Sequence, residues 1–474
     1  MRKPRLPVIA SGVLIALALS HVAYAQDAQV QPQIEQLRQQ VKELQQRIDQ
    51  LETLDQRVKI LDRRVEVQSK DLQAKTKELP QIVPSSQGVS ISSPEGDFKL
   101  RIRGYIQGEG NFFTSGNDKP STGSTFYLNR VRPVLEGTVF KDYDYKIMPD
   151  FGQGKTVLED ACLNAKYLPL AQLMIGKYKA PFGIERLQSA RDLEWVQRGM
   201  TNNLIPNRDI GLELHSEQLL GGRLTYQLAL MNGVPNNTAS VDTDSNDGKD
   251  FVGRLFALPF RNSGIEFARG LGIGFAGSYG DERGALSKYV TAGQQTFFSY
   301  AKNATASGMH YRYSPQAFYY WGPFGLLTDY VDDTQTVNLL QAVKGEPYIN
   351  SYKTFSNHAW QVQTSYLLTG ENATYYTVEP LHNFDPEGGH WGAFEVKARV
   401  GGLGVDSDVF KDGFASLSSS ARTATEYGIG FNWYLNANVK LQCDYIRTFF
   451  DRGAPDGHNR PDESAFLNEV QVAF

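Results

Sequence analysis

Five cations fall within the stretch GKYKAPFGIERLQSARDLEWVQR, residues 176 to 198: Lys177, Lys179, Arg186, Arg191 and Arg198. Ammonium and guanidinium groups at this density suit one chemistry, the electrostatic and hydrogen-bonded holding of an anion. The planar fork of an arginine matches two oxygens of a carboxylate or phosphate. Glu185, Asp192 and Glu194 share the run, so its net charge is only +2, and a set of loop salt bridges is the competing explanation.

No reaction chemistry stands beside it. The seven histidines have no metal-ligand spacing, and neither a nucleophile motif nor a paired-carboxylate signature is present, so the expectation is no enzyme, no metal and no cofactor. Gly272, Gly274 and Gly277 fit a dinucleotide pattern by letter, but the surrounding sequence is strand-like and no amphipathic helix follows. The run DTDSNDG from Asp242 to Gly248 resembles a calcium loop. Asp247 nevertheless holds the position that needs glycine, and no Glu closes the loop at its twelfth residue.

The elements that must position the cations are set by export and by hydropathy. Arg2, Lys3 and Arg5 precede an apolar run from Val8 to Leu19, and Ala23-Tyr24-Ala25 supplies the small residues of a cleavage site, so residues 1–25 read as a signal peptide. Cleavage removes three cations from a chain of net charge -4, leaving about -7 and giving no reason to expect a nucleic-acid partner. No later run of eighteen apolar residues occurs and the mean hydropathy is -0.39, which excludes helical membrane spans and leaves a secreted soluble protein or an outer-membrane barrel. Cys162 and Cys443 lie far apart in strand-like segments and read as small hydrophobes rather than a disulfide.

Residues 26–80 form a separate region. Ile34, Leu37, Val41, Leu44, Ile48 and Leu51 alternate spacings of three and four. Leu54, Val58, Leu61, Val65 and Leu72 continue them after a three-residue slip, the pattern of a coiled coil with a stammer. β-branched residues at a with Leu at d favour two strands in isolation. Pro80 and Pro84 end the helix, and residues 81–97 read as a linker.

From Lys99 the period becomes two. Lys99, Arg101, Arg103, Tyr105, Gln107 and Glu109 share one face, and Leu100, Ile102, Ile106 and Phe112 the other. The same parity puts Arg132 with Arg101 and Arg103 on the wet side. Segments of this kind occur at 99–113, 125–140, 143–151, 158–168, 171–179, 208–217, 222–232, 250–259, 271–280, 311–321, 324–334, 357–368, 391–401, 423–434, 438–449 and 465–474. They make sixteen strands, an even number. Connections alternate short and long, as between the turns and outer loops of a membrane barrel, with 369–390 the exception on the short side. The 26 Phe, 24 Tyr and 5 Trp suit two interfacial girdles. The expected fold is therefore all-β, a 16-stranded antiparallel transmembrane β-barrel over 98–474 behind an N-terminal coiled-coil helix.

Residues 98–474 resemble the phosphate-selective porins O and P. The resemblance rests on YLNRVRPVLEGTVFKDYDYK from Tyr127, GKYKAPFGIER from Gly176, GRLFALPF from Gly253, SYLLTGE from Ser365, FNWYLNANVKL from Phe431 and the terminal Phe474, in that order. It implies a homotrimer of barrels in the bacterial outer membrane lipid bilayer, each with its own channel narrowed by an inward-folded third outer loop, and a terminal aromatic serving as an assembly signal. By strand count that loop is 180–207. The resemblance also implies site residues: Arg186 and Arg191 stand where the family's loop carries lysines, Ser189 matches a hydroxyl contributor, Arg198 a basic residue further on, and Arg130 one of a pair of arginines. Asn129, Ala190 and Tyr105 depart from the pattern, so anion preference is better supported than phosphate specificity.

Three functions follow. The first is a porin passing anions, phosphate or polyphosphate, past Arg186, Ser189, Arg191, Arg198 and Arg130, with Arg101, Arg103 and Arg132 facing the lumen. The second is a general diffusion porin of the same fold, and the third a structural barrel tethered through its coiled coil. In each the helix, about 60 Å over some 39 residues, is expected in the periplasm, where it helps trimerise the barrel or reaches toward peptidoglycan.

Overall fold

The computed structural model describes residues 30–114, 123–239, 247–341 and 349–474. The signal peptide 1–25 and Asp242 to Asn246 of the calcium-like run lie outside the described residues. The chain divides into two units, Met1–Leu79 and Pro80–Phe474.

The first unit holds one helix, α1 (Val30–Glu78), of 49 residues and so about 73 Å long. Ile34, Leu37, Val41, Leu44, Ile48 and Leu51 are all exposed, as are Leu54, Val58, Leu61 and Val65 beyond the slip. The side chain of Leu72 lies outside the described residues. Pairs one turn apart, Asp55 with Lys59 at 2.6 Å and Glu66 with Lys70 at 2.7 Å, support the polar faces.

In the second unit the segment expected to be a linker is instead a hairpin, β1 (Gln81–Ser85) and β2 (Gly88–Ser92), whose second strand pairs with the start of β3. Pro84 is tolerated there because β1 is an edge strand. The remaining strands follow in order: β3 (Lys99–Phe113), β4 (Thr125–Val139), β5 (Tyr143–Asp150), β6 (Val157–Ala165), β7 (Gln172–Lys179), β8 (Arg208–Gln218), β9 (Leu224–Met231), β10 (Asp250–Ala257) and β11 (Leu271–Gly284). A small hairpin, β12 (Tyr289–Val290) with β13 (Thr296–Phe298), sits apart from the main sheet. Then come β14 (Ala304–Trp321), β15 (Phe324–Gln341), β16 (Ile349–Leu367), β17 (Ala393–Gly404), β18 (Ala421–Tyr434), β19 (Val439–Arg452) and β20 (Glu463–Ala473). Every neighbour is antiparallel, and β20 pairs back onto β3 from Ala473 opposite Tyr105 to Ala465 opposite Phe113, closing a barrel of sixteen strands. Phe474 completes the seam by exchanging backbone hydrogen bonds of 2.7 and 2.9 Å with Gly104.

The alternation along each strand is inverted relative to a water-soluble core. On β3, Gln107 and Glu109 are buried while Ile102 and Ile106 are exposed; on β19, Gln442 and Asp444 are buried and Phe449 exposed. Polar residues point inward and apolar ones outward, as a barrel in lipid requires. The strands β14 to β16 run about seven residues further than their hydropathy suggests. At those ends Thr336 bonds Thr354 (3.0 Å) and Asn338 bonds Asn350 (2.8 Å) on the outer face, while Val337, Leu339 and Phe355 are buried on the inner one, so the alternation reverses although the ladder continues.

Candidate permeation site

None of residues 180–207 is exposed. A 28-residue connection between β7 and β8 avoids solvent only by lying inside the barrel, and its polar groups are bound by strands on the far wall. Gln107 of β3 donates to the Ala190 carbonyl (3.0 Å), Gln361 of β16 to Glu185 (3.0 Å) and Arg399 of β17 to the Gln197 carbonyl (2.8 Å). The inward turn starts at Gly183, whose φ of 76° suits glycine and whose Cβ, if present, would lie 2.2 Å from Ile205 Cδ1.

The segment divides the lumen into two cavities. One, of about 340 Å³, opens among residues of the long connections such as Gln153, Asn237 and Gln294; the other, of about 790 Å³, opens among Gln87, Glu217 and Glu379 at the short-turn end. Their charge differs sharply. Arg130, Arg132, Lys155, Arg186, Arg198 and Arg208 line the loop-side cavity against only Asp150 and Glu159, whereas the turn-side cavity sets six cations against six carboxylates.

Arg186 and Arg198 are the cations of the loop-side cavity that the loop itself supplies. Arg186 donates to the Asn202 carbonyl (3.1 Å) and Asn237 Oδ1 (2.6 Å), and Arg198 to the carbonyls of Glu185 (3.3 Å) and Gln188 (3.0 Å). Neither is paired with a carboxylate among the described residues. Burial lowers the Arg186 guanidinium to about 10, with Arg208 pushing the same way, and burial followed by the charges of Arg186 and Arg130 lowers Arg198. Like charges crowded in this way are relieved by an anion among them.

Arg130 joins this cavity, bonding Gln107 at 2.7 Å with Glu109 3.8 Å away. Arg132 also lines it but is neutralised by Asp150 (2.8 Å) and Glu159 (2.5 Å). Arg191 and Ser189 lie elsewhere, in the turn-side cavity, where the Ser189 hydroxyl accepts from the Arg191 backbone N–H (3.3 Å) and caps a short helical turn. Burial lowers Arg191. Arg103 is clamped by Glu136 through two 2.8 Å bonds, and Arg101 reaches the same carboxylate at 3.4 Å. The eight basic and hydroxyl positions picked out in the sequence are therefore not one cluster. They split between two cavities, and Arg101, Arg103 and Arg132 are held by carboxylates.

Strict alternation places Lys177 and Lys179 outward, with Leu173 and Ile175. The pattern breaks at the end of β7, where Tyr178 and Lys179 both line the turn-side cavity and Lys179 Nζ donates to the carbonyls of Leu187 (3.3 Å) and Gln188 (2.5 Å). Lys177 is buried. Arg208, at the first position of β8, was not singled out in the sequence; it lines both cavities and pairs with Glu159 (2.8 Å) and Asp160 (2.7 Å). The anomalous long connection on the short-turn side also enters the lumen. Gln188 donates to the Tyr375 carbonyl (2.7 Å), and Thr377 to Asp192. Cys162 lines the turn-side cavity and Cys443 is exposed on the outer face; both are free thiols.

A closed antiparallel barrel, apolar outside and polar inside, whose water-accessible lumen is partitioned by a loop of its own, is an outer-membrane porin, a channel and not an enzyme. A sequence profile of the family described as phosphate-selective porin O and P matches residues 98–474, and the chain belongs to that family. Porin O of Pseudomonas aeruginosa is 23% identical over 421 residues, which are 83% of this chain and 92% of that protein. Among solved structures, the outer membrane channel DcaP of Acinetobacter baumannii matches with a TM-score of 0.51 and 14% identity, over 82% of this chain and 100% of that one. OmpT, an outer membrane protein of Vibrio cholerae, matches with a TM-score of 0.48 and 11% identity, over 80% of this chain and 98% of that one.

Proposed function

We propose that this porin passes anions, phosphate or polyphosphate, by passive diffusion across the outer membrane, with the connection 180–207 as its constriction. The observation that carries the proposal is the loop-side cavity, whose lining sets six cations against two carboxylates and in which, among the described residues, Arg186 and Arg198 make no ion pair. In a narrow passage with low-dielectric walls such a cluster sets the local potential even though the whole chain carries -4. Donors already engaged with carbonyls and amides hold an anion with moderate strength, which lets it leave as well as enter. The family name points to phosphate, while Asn129, Ala190 and Tyr105 stand where the family pattern differs, so the anion class is the firmer half of the proposal.

A general diffusion porin is the second reading, favoured by the even charge balance of the turn-side cavity. Reversal potential across a planar bilayer under a potassium chloride gradient separates them: the first expects strong anion selectivity and block by added phosphate, the second a weak preference and no block. The exposed apolar stripe of α1 supports self-association, and the proposal extends to a helix in the periplasm that assembles a homotrimer or reaches toward peptidoglycan.

A further inference from the structure

The wall opposite the cationic cavity seats one aromatic side chain of the constriction loop. Trp195, 1% exposed, lies between Lys397, whose Nζ is 4.8 Å from a ring centroid, and the Arg399 guanidinium at 4.6 Å. Cations on an indole attract it through the ring quadrupole, more strongly once water is excluded. The strand register makes room for the ring. Lys397 of β17 stands opposite Gly430 of β18 and that opposite Asp444 of β19, while in the next inward row Arg399 stands opposite Gly428 and that opposite Ile446. A Cβ at position 428 would come 2.9 Å from the indole. The notch in the wall exists because that side chain is missing.

Around the ring the loop is gripped by its backbone. Asn432 (2.9 Å), Gln442 (2.7 Å) and Lys397 all donate to the Glu194 carbonyl, Lys440 donates to the Leu193 carbonyl (2.7 Å), and Asp444 accepts from the Val196 N–H (2.9 Å). These wall contacts are to main-chain atoms; among the side chains of the stretch Glu194 accepts from Ser365 (3.3 Å) and Val196 is buried in the same apolar cluster, but Trp195 is the largest and the one seated in the notch. The wall's own charges cancel locally, Lys397 with Asp444 at 2.7 Å and Arg399 with Glu426 at 2.9 Å. The seat therefore adds little field of its own to the passage.

We infer that Trp195 is a latch: a positioning residue that docks the loop against β17–β19 and fixes the open width of the channel, separately from the arginines that choose the ion. The inference rests on the reading of 180–207 as the constriction. Removing a fully buried Trp shifts a docked-to-released equilibrium by about a hundredfold or more. Trp195→Ala should therefore raise single-channel conductance and add current noise as the loop leaves its seat, whereas Trp195→Phe, which keeps an aromatic face, should stay near wild type. Gly428→Ala, which crowds the ring without removing it, should move in the same direction as Trp195→Ala and keeps the test alive if that variant does not fold.

Each variant is first checked for the folded, heat-modifiable band in gel electrophoresis. Folded Trp195→Ala and Gly428→Ala channels with wild-type conductance and noise would overturn the latch. A wild type without anion selectivity would overturn the proposed function instead, and would leave the conductance comparison standing as the judge of the latch.

Discussion

Neutralising Arg198 tests the electrostatic account most directly. The substitution Arg198→Gln removes one of six cations from the lining of the loop-side cavity, which also holds two carboxylates, with Glu109, Asp160 and Glu185 close behind it. A cavity of about 340 Å³ corresponds to a sphere of radius about 4.3 Å, so an ion at its centre is on the order of 5 Å from a lining guanidinium. One unit charge at that distance contributes about 0.8 kcal/mol in bulk water and about 3.3 kcal/mol at an effective dielectric of 20. Anion occupancy should therefore fall about fourfold at the least, and by up to about two hundredfold in the drier limit. The assay is reversal potential under a potassium chloride gradient, together with the concentration of phosphate that halves the current. Because Arg198 also donates to the carbonyls of Glu185 and Gln188, Arg198→Lys is the control: it keeps the charge and should keep most of the selectivity. If folded Arg198→Gln and Arg186→Gln channels both show the wild-type reversal potential, the cavity's cations do not select ions and the reasoning is refuted.

Three other outcomes follow. Gly183→Ala forces a side chain to φ 76° against Ile205 and should cost about 1–3 kcal/mol in urea unfolding of the detergent-solubilised protein; an unchanged midpoint would show that the turn relaxes freely. A charged, water-soluble thiol reagent should modify Cys162 in the turn-side cavity and lower conductance but leave Cys443 on the outer face unmodified, as mass spectrometry of digests would show; the reverse pattern would contradict the inward and outward assignments of β6 and β19. Deleting residues 26–80 should leave single-channel conductance unchanged and reduce the trimer fraction seen by light scattering; lost conductance would tie α1 to the channel, and an unaltered oligomer would remove its assembly role.

All sixteen barrel strands were legible in the sequence because alternation is local: a strand with lipid on one side and polar lumen on the other writes both solvents into consecutive residues. Toward the far ends of β14 to β16 the pattern reverses, with Thr336, Asn338 and Thr354 outward and Val337, Leu339 and Phe355 buried inside, so an expectation of apolar-out alternation stops short of where the ladder runs. The inward parity of Arg101, Arg103 and Arg132 was legible for the same reason. That parity also covers Lys397 and Arg399 in AFEVKARV, and it could have marked them as lumen-facing.

By itself the sequence determined an exported chain, a heptad helix with an exposed apolar stripe, and a sixteen-strand barrel bearing a basic third loop. The tertiary structure alone decided which of those cations act together. Arg186 and Arg198 come from a loop with no period, Arg130 from β4 and Arg208 from β8, and they meet because the barrel closes and the loop folds across it. Closure also separated Arg191 and Ser189 from that group, and neutralised Arg132 with Asp150 and Glu159. It set Trp195 against Lys397 and Arg399, about two hundred residues further along the chain. Side-chain direction along a strand depends on neighbours one or two residues away, whereas a charge cluster in a lumen depends on distances across it, which no local pattern encodes.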